Sequence, residues 1–382
     1  MLNSAIQFPN VPGVKIIEER LGAPPIQGVS TSRAAFVGQA PRASELQNTP
    51  RLVTSLDQFN ALYVLDLNTP ANSAKASTPL SLAVTGFFQN GGSSCYIVNA
   101  PNGSSAEVKA GLKLLEKIDD IQILGAPGSG VDQTVYTELQ TQCQQKGDRF
   151  AILESPGKVT LPGDLKTGGA GRPGSDNTNS AFYYPRIQVA GLLPNDAPLL
   201  TVTPTGHIAG LYARTDQNRG VHKAPANEVL RGAIGVEDVL GDADQQELNL
   251  LGVNIIRVFN EGPVVWGART LNQDQSDPFV YINIRRLVTF IEQSLEVGLR
   301  FAVFEPNTLG LRQTITRSVR GFLDRVWRDG ALFGETAEDA YYVRFPESFN
   351  TPDDQKAGKL TVEIGLRASY PAEFIIIRIG LL

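Results

Sequence analysis

Cys95-Tyr96-Ile97-Val98-Asn99, Ile121-Gln122-Ile123-Leu124 and Phe150-Ala151-Ile152-Leu153 are three short apolar runs, each bounded by turn residues. Residues 106–118 lie between the first two, with Val108, Leu112, Leu115 and Ile118 near helical spacing. A second helical stretch, 131–146, separates the second run from the third. Strands alternating with helices of this length predict βαβ units and a mostly parallel sheet. The pattern extends back to Ala34-Ala35-Phe36-Val37-Gly38 and forward to about Gly262. A loop from Gly163 to Asn179, with Gly168-Gly169-Ala170-Gly171-Arg172-Pro173-Gly174 inside it, breaks the series and is expected to be exposed and mobile.

Both flanks read differently. Asp277 and Pro278 start a helix expected to run to about Val297, with Ile284, Leu287, Val288, Ile291 and Leu295 in one apolar stripe. A second helix is expected from Thr308 to Arg328. Leu360-Thr361-Val362-Glu363-Ile364 then alternates with a period of two, and Phe374-Ile375-Ile376-Ile377-Arg378-Ile379 forms a long apolar strand. Such a strand near a terminus aggregates unless its edges are paired. At the other end, Pro9, Pro12, Pro24 and Pro25 oppose a helix around Val14-Lys15-Ile16-Ile17-Glu18-Glu19. That segment reads as one strand, either on an extended arm or as an edge strand of its own domain.

Composition narrows the function. Of 382 residues, 42% are hydrophobic and 19% charged, enough apolar side chain for real cores and too little charge for general disorder. With 37 Gly and 24 Pro the chain is rich in turns. The net charge of -5 argues against a general nucleic-acid binder. Cys95 and Cys143 give no disulfide framework and read as buried small apolar residues. No apolar run reaches the ~20 residues of a membrane span, and the N-terminus has no signal-peptide pattern. With only His207 and His222, histidine-rich metal sites are excluded and a Ser-His-Asp arrangement has two candidate bases.

The Gly-rich turn Gly125-Ala126-Pro127-Gly128-Ser129-Gly130 sits after a strand and before a helix, where phosphate loops occur. It lacks the Lys-Ser/Thr ending of a P-loop, and Pro127 removes one N–H, so an ordinary βα turn competes with a phosphate cradle. Asp238, Asp242, Asp244 and Glu247 do not match a calcium loop and read as a solvated turn and helix start. His222 has no acid or nucleophile at a recognisable spacing and reads as structural. On the Thr308–Arg328 helix, Leu311, Ile315, Val319, Phe322, Leu323 and Val326 share one face, and Arg317, Arg320, Arg325 and Arg328 lie opposite. An acidic partner or a solvated face with scattered ion pairs fits that pattern equally.

Four stretches together resemble the tail sheath family of contractile phages and phage-like injection systems. They are Pro12–Glu19 with Ala34–Ala40; Ala209-Gly210-Leu211-Tyr212-Ala213-Arg214-Thr215-Asp216 continuing into Arg219–Asn227; Trp266-Gly267-Ala268-Arg269-Thr270-Leu271; and Tyr281–Leu287 with Phe304-Glu305-Pro306-Asn307. His222 departs from the aromatic, often Trp, of many relatives. The chain is also short for the family, like compact sheaths without large insertions.

The resemblance implies a structural subunit, not an enzyme, that needs no cofactor or metal. Its expected fold is an α/β sheath domain at 31–262 and an α+β core domain at 263–370, with arms at 1–30 and 371–382. The family's subunits stack as hexameric rings around an inner tube, between a baseplate and terminal cap proteins. Their arms add strands to neighbouring subunits. Here the matching arm strands are Val14, Lys15, Ile16, Ile17 and Glu18, and Phe374, Ile375, Ile376, Ile377, Arg378 and Ile379. Leu360, Val362 and Ile364 mark the receiving strand, and Arg317, Arg320, Arg325 and Arg328 the tube-facing helix. Synthesis and assembly in the bacterial cytoplasm follow, with no direct nucleic-acid contact and no membrane insertion. A competing reading from the residues alone is a Rossmann-like enzyme with a ligand near Gly125–Gly130.

Overall fold

The computed structural model describes residues 25–373, apart from 130–131, 155, 160–162, 167–170 and 175. Along the chain come β1 (Ala34–Gly38), β2 (Arg51–Val53), α1 (Leu56–Tyr63), α2 (Pro79–Gln89), β3 (Cys95–Asn99), α3 (Ser105–Leu115), β4 (Ile123–Gly125), α4 (Gln133–Lys146) and β5 (Phe150–Leu153). They continue with β6 (Ser180–Tyr184), β7 (Ile187–Ala190), β8 (Leu199–Val202), α5 (Thr205–Arg219), β9 (Glu228–Val229), β10 (Ala233–Val236), α6 (Asp242–Asn249), β11 (Val253–Phe259) and β12 (Gly262–Val265). The C-terminal part holds α7 (Ile282–Gly298), α8 (Leu309–Arg328), α9 (Ala337–Ala340), β13 (Tyr341–Arg344), α10 (Pro352–Lys356) and β14 (Glu363–Leu366).

Helix starts follow local chemistry. Ser104 accepts the Glu107 N–H, and Asp132 accepts those of Thr134 and Val135. Pro79 opens α2 behind a Thr78–Ser81 capping box.

The large sheet has the order β2-β3-β1-β4-β5-β6-β11-β12-β9. Strands β3, β1, β4, β5, β6 and β11 are parallel, and β2, β12 and β9 add antiparallel edges. The strand period of two sends alternate residues to opposite layers. Ala34, Phe36, Ile97 and Ile152 pack on the α2–α5 side, while Ala35, Val37, Val98 and Leu153 pack on the α3–α4 side. Helices α2 and α5 approach to backbone contact: a Cβ on Gly206 would lie 1.9 Å from the Ala83 carbonyl oxygen, and one on Gly210 2.3 Å from that of Phe87. A second, antiparallel sheet has the order β10-β7-β8. A third apolar cluster joins Leu287 and Ile291 of α7, Val319 and Phe322 of α8, and Tyr341 and Val343 of β13.

Three expectations need correcting. The 163–179 segment is not simply an exposed loop: Leu165, Arg172, Asn177 and Asn179 are buried, and Arg172 donates to the Leu251 carbonyl at 2.6 Å. The expected 277–297 helix begins at Ile282, because Tyr281 bridges Arg269 in extended backbone and leaves Pro278–Val280 as a separate 3-10 turn. The 360–364 strand is ordered as Glu363–Leu366 instead. Asn350 holds both main-chain groups of Thr361 at 2.9 Å, which delays the ladder by three residues.

Candidate functional site

The C-terminal hairpin is built by β13 and β14, which pair Tyr341 with Leu366, Tyr342 with Gly365, Val343 with Ile364 and Arg344 with Glu363. Tyr341 and Val343 are buried against α8, and the Tyr341 hydroxyl donates to Asp324 there. Tyr342, Arg344 and Glu363 form the outer face. Glu363 Oε1 accepts from the Tyr342 hydroxyl at 2.8 Å and from Arg344 at 2.6 Å. The Arg344 hydrogen bond, ahead of that from Tyr342, holds the partly exposed Glu363 carboxyl below its ordinary range. Gly365 leaves room for the Tyr342 ring, which a Cβ would meet at 2.1 Å. The sheet has two strands, so each has one edge unpaired by any described residue. Two-stranded sheets gain stability from a helix or from further strands. α8 supplies the helix, and the two open edges offer main-chain donors and acceptors.

Of the expected receiving residues, Ile364 lies in β14, whereas Leu360 and Val362 precede it and pack half-buried on the α7–α8 cluster. The expected arm strands Val14–Glu18 and Phe374–Ile379 lie outside the described residues. The segment that follows the first of them is tied down. Ile26 is buried against Gly298, and the Val29 N–H donates to Ser294 Oγ at 3.1 Å. Arg286 donates to the Thr31 carbonyl at 2.9 Å.

On α8, capped by Thr308, Ile315, Val319, Phe322, Leu323 and Val326 are buried and all four expected arginines are exposed. Helical geometry puts Arg317, Arg320 and Arg328 within an arc of about 80° and Arg325 about 60° to one side. The structure thereby separates Arg325 from the others. Its guanidinium donates to the Ile26 carbonyl and lies 6.0 Å over the Phe322 ring. Arg317, Arg320 and Arg328 make no ion pair among the described residues.

The turn after β4 holds a carboxyl group belonging to the chain itself. Glu154, just past β5, is buried, and its carboxylate accepts the Gly128 N–H at 3.1 Å. It also accepts the hydroxyls of Thr203 at 2.6 Å and Thr205 at 3.1 Å. Burial raises Glu154 to about 7, against the lowering effect of these donors. A Cβ on Gly125 would lie 2.6 Å from the Thr205 methyl, and one on Gly38 2.9 Å from the Pro127 carbonyl. The crevice at the strand C-termini, where a doubly wound sheet holds its ligand, is therefore filled by protein.

Sequence reasoning missed Glu154 and the buried Asp216–Arg286 pair, for which no local signal exists; the partners of the pair stand 70 residues apart. His207 is buried, which lowers it to about 4, and His222 is half-buried and also lowered, by burial first. Cys95 and Cys143 are buried free thiols. No cluster of three or more metal-ligating side chains occurs among the described residues, and no helix among them is long and apolar enough to cross a membrane.

The hairpin leaves two edges unpaired by the described residues and α8 carries its arginines on one side, and comparison with known proteins gives the lineage. The phage tail sheath protein central domain matches residues 105–271, and the phage tail sheath C-terminal domain matches 274–381. The tail sheath protein of Burkholderia phage BcepMu is 27% identical over 299 residues, covering 72% of this chain and 59% of that one. That of Escherichia phage P2 is 28% identical over 289 residues, covering 72% and 67%. The chain thus spans about three fifths of the BcepMu relative's length.

Among solved structures, a chain of the anti-feeding prophage baseplate superposes with a TM-score of 0.76 at 31% identity, covering 98% of this chain and 99% of that one. A chain from the contracted PVC sheath complex of an extracellular contractile injection system gives 0.79 at 29%, covering 98% of each. The chain belongs to the phage tail sheath family.

Proposed function

We propose that this chain is the structural subunit of a contractile sheath. Copies polymerise as stacked hexameric rings around an inner tube, held between baseplate and cap proteins, and contract to drive the tube through a target envelope. The observation that carries this reading is the β13–β14 hairpin, whose two edges are unpaired by the described residues. Strands contributed by neighbours, Val14–Glu18 from one and Phe374–Ile379 from another, add to those edges. Main-chain hydrogen bonds then join subunits, while the alternation of side chains fixes register. The relatives' source, a contracted sheath of an injection system, supports the contractile half of the proposal.

The arms act as hinges during contraction, and each subunit moves as a rigid body. The extended state is a kinetic trap that contraction releases, with free energy supplied by new contacts between subunits. The chain is no enzyme on this reading and takes no cofactor, which suits the occupation of its crevice by Glu154. Arg317, Arg320 and Arg328 grip an acidic stripe of the tube, and Arg325 steadies the N-terminal arm root. Synthesis and assembly take place in the bacterial cytoplasm.

Negative-stain electron microscopy of the protein alone and with its tube subunit tests the proposal. Striated hollow cylinders, wide alone and narrower around the tube, are expected; discrete small particles under both conditions would overturn it.

A further inference from the structure

The Trp266–Leu271 motif holds a contact that the fold does not need for its sheets. Arg269 donates from Nε to Glu373 Oε1 at 3.0 Å and from Nη2 to Oε2 at 2.6 Å, a two-pronged pair whose side chains are 5% and 16% exposed. Such planar, doubly bonded pairs fix direction as well as distance. Arg269 is itself rigidly placed. Asn254 accepts its main-chain N–H and donates to its carbonyl, both at 2.7 Å. Its Nη1 donates to Gln275, and its guanidinium lies 5.5 Å over the Tyr281 ring. Tyr370 meets the same ring edge-on at 5.9 Å, and the Ser369 N–H is tied to the Ala331 carbonyl. The chain from 369 to 373 is therefore held at several points, and Glu373 is the last of them among the described residues.

In sequence, Glu373 is followed at once by Phe374–Ile379, with no spacer. We propose that the Arg269–Glu373 pair is a positioning contact that sets the free length and register with which the C-terminal arm reaches a second copy of this chain. The inference rests on the arm reading given under Proposed function. Without the pair, the tether starts at Tyr370, three residues earlier, and gains about 10 Å of slack at roughly 3.3 Å per residue. A tether works by effective concentration, which is greatest when its length matches the span and falls as it lengthens. Because this pair is largely shielded from solvent, ionic screening weakens it less than an exposed pair. The pair is thus a durable place to fix the arm's origin.

Paired insertions in the full chain test the proposal. A Gly-Ser dipeptide between Glu373 and Phe374 lengthens the arm beyond the anchor and is expected to reduce pelletable sheath by about tenfold. The same dipeptide between Tyr370 and Pro371 falls before the anchor and is expected to leave sheath yield near wild type. Glu373→Gln is expected to lower yield similarly, and the exchange of Arg269→Glu with Glu373→Arg to restore part of it. Circular dichroism and thermal melting of the unassembled subunit should be unchanged for the insertions. Equal effects of the two insertions, or full assembly of Glu373→Gln, would overturn the anchor. Deleting residues 374–382 tests the arm separately: assembly that survives the deletion overturns the arm reading and the anchor with it. Loss of assembly on deletion, with both insertions tolerated, overturns the anchor alone.

Discussion

Arg286 of α7 and Asp216 of α5 meet through two charge-assisted hydrogen bonds of 2.9 and 2.6 Å, with 4% and 5% of their side chains exposed. Burial opposes the Arg286 charge and Asp216 more than offsets it; the guanidinium also lies 4.6 Å over the Tyr212 ring. The pair joins the large sheet's helical layer to the helix that carries the C-terminal cluster, and the same arginine holds the Thr31 carbonyl. One contact thus couples α5, α7 and the chain segment at Thr31.

Breaking that pair from one side leaves a buried charge without its partner. Asp216→Asn and Arg286→Gln are each expected to cost about 3–5 kcal/mol of stability. Replacing both by apolar residues of similar size should cost much less, because no lone charge remains. Urea unfolding of the two singles and the double gives the coupling. Additive losses would show that the two side chains act independently.

Helices α2 and α5 cross on glycine because backbone faces backbone. Gly206→Ala puts a methyl 1.9 Å from the Ala83 carbonyl oxygen, and a carbonyl has no rotamer with which to yield. A loss of about 3 kcal/mol is expected, at the upper end of overpacking costs. Gly147, with φ +66 and nothing within 4 Å of a Cβ, is the control. Its alanine variant should lose only about 1 kcal/mol, from backbone strain alone. Thermal melting distinguishes the two; equal losses would mean that the α2–α5 contact relaxes freely.

Glu154 makes stability depend on pH in a defined direction. Its folded value of about 7 lies above the ordinary 4.5, so folding favours the protonated form. The resulting stabilisation is fully present below pH 4.5 and is lost as pH rises through about 7. His207 has the opposite sign. Burial takes it from 6.5 to about 4, so its contribution is present above pH 6.5 and lost as pH falls through 4. The two slopes oppose each other between pH 4.5 and 6.5. Glu154→Gln removes one of them, and its stability relative to wild type should rise by about 2 kcal/mol across that interval. Urea midpoints at pH 4.5, 5.5 and 6.5 measure the change; a pH-independent difference would count against a titrating Glu154.

These pairs show where sequence reading stops. Ala34–Gly38, Cys95–Asn99 and Phe150–Leu153 were legible because a central parallel strand is apolar on both faces, a purely local signature. The α8 face was legible because helical periodicity separates Ile315 and Val319 from Arg317 and Arg320 within a few residues. Glu154 was not, since its donors Gly128, Thr203 and Thr205 lie 26 to 51 residues away and converge only when the sheet forms. Arg325 looked like its neighbours along the helix, and only its bond to Ile26, 299 residues distant, distinguishes it. The strand at 360–364 was placed three residues early because alternation carries no sign of the Asn350 clamp on Thr361.

That separation along α8 yields a prediction about the tube. Arg317 and Arg320 are exposed and make no ion pair among the described residues, so reversing both charges should leave the melting temperature within about 2 °C, as for surface substitutions generally. Tube-templated assembly of the Arg317→Glu/Arg320→Glu variant should instead fail at low salt, because like charges then face an acidic stripe. Wild-type assembly on the tube should weaken with added salt as the exposed contacts are screened. Arg325→Gln behaves differently on this account: it frees the Ile26 carbonyl and loosens the N-terminal arm root, so its defect appears even where no tube is present. Counting tube-length sheaths and tube-free polymers by electron microscopy separates the two classes. Normal assembly on the tube by the double reversal would remove this face of α8 from the tube interface.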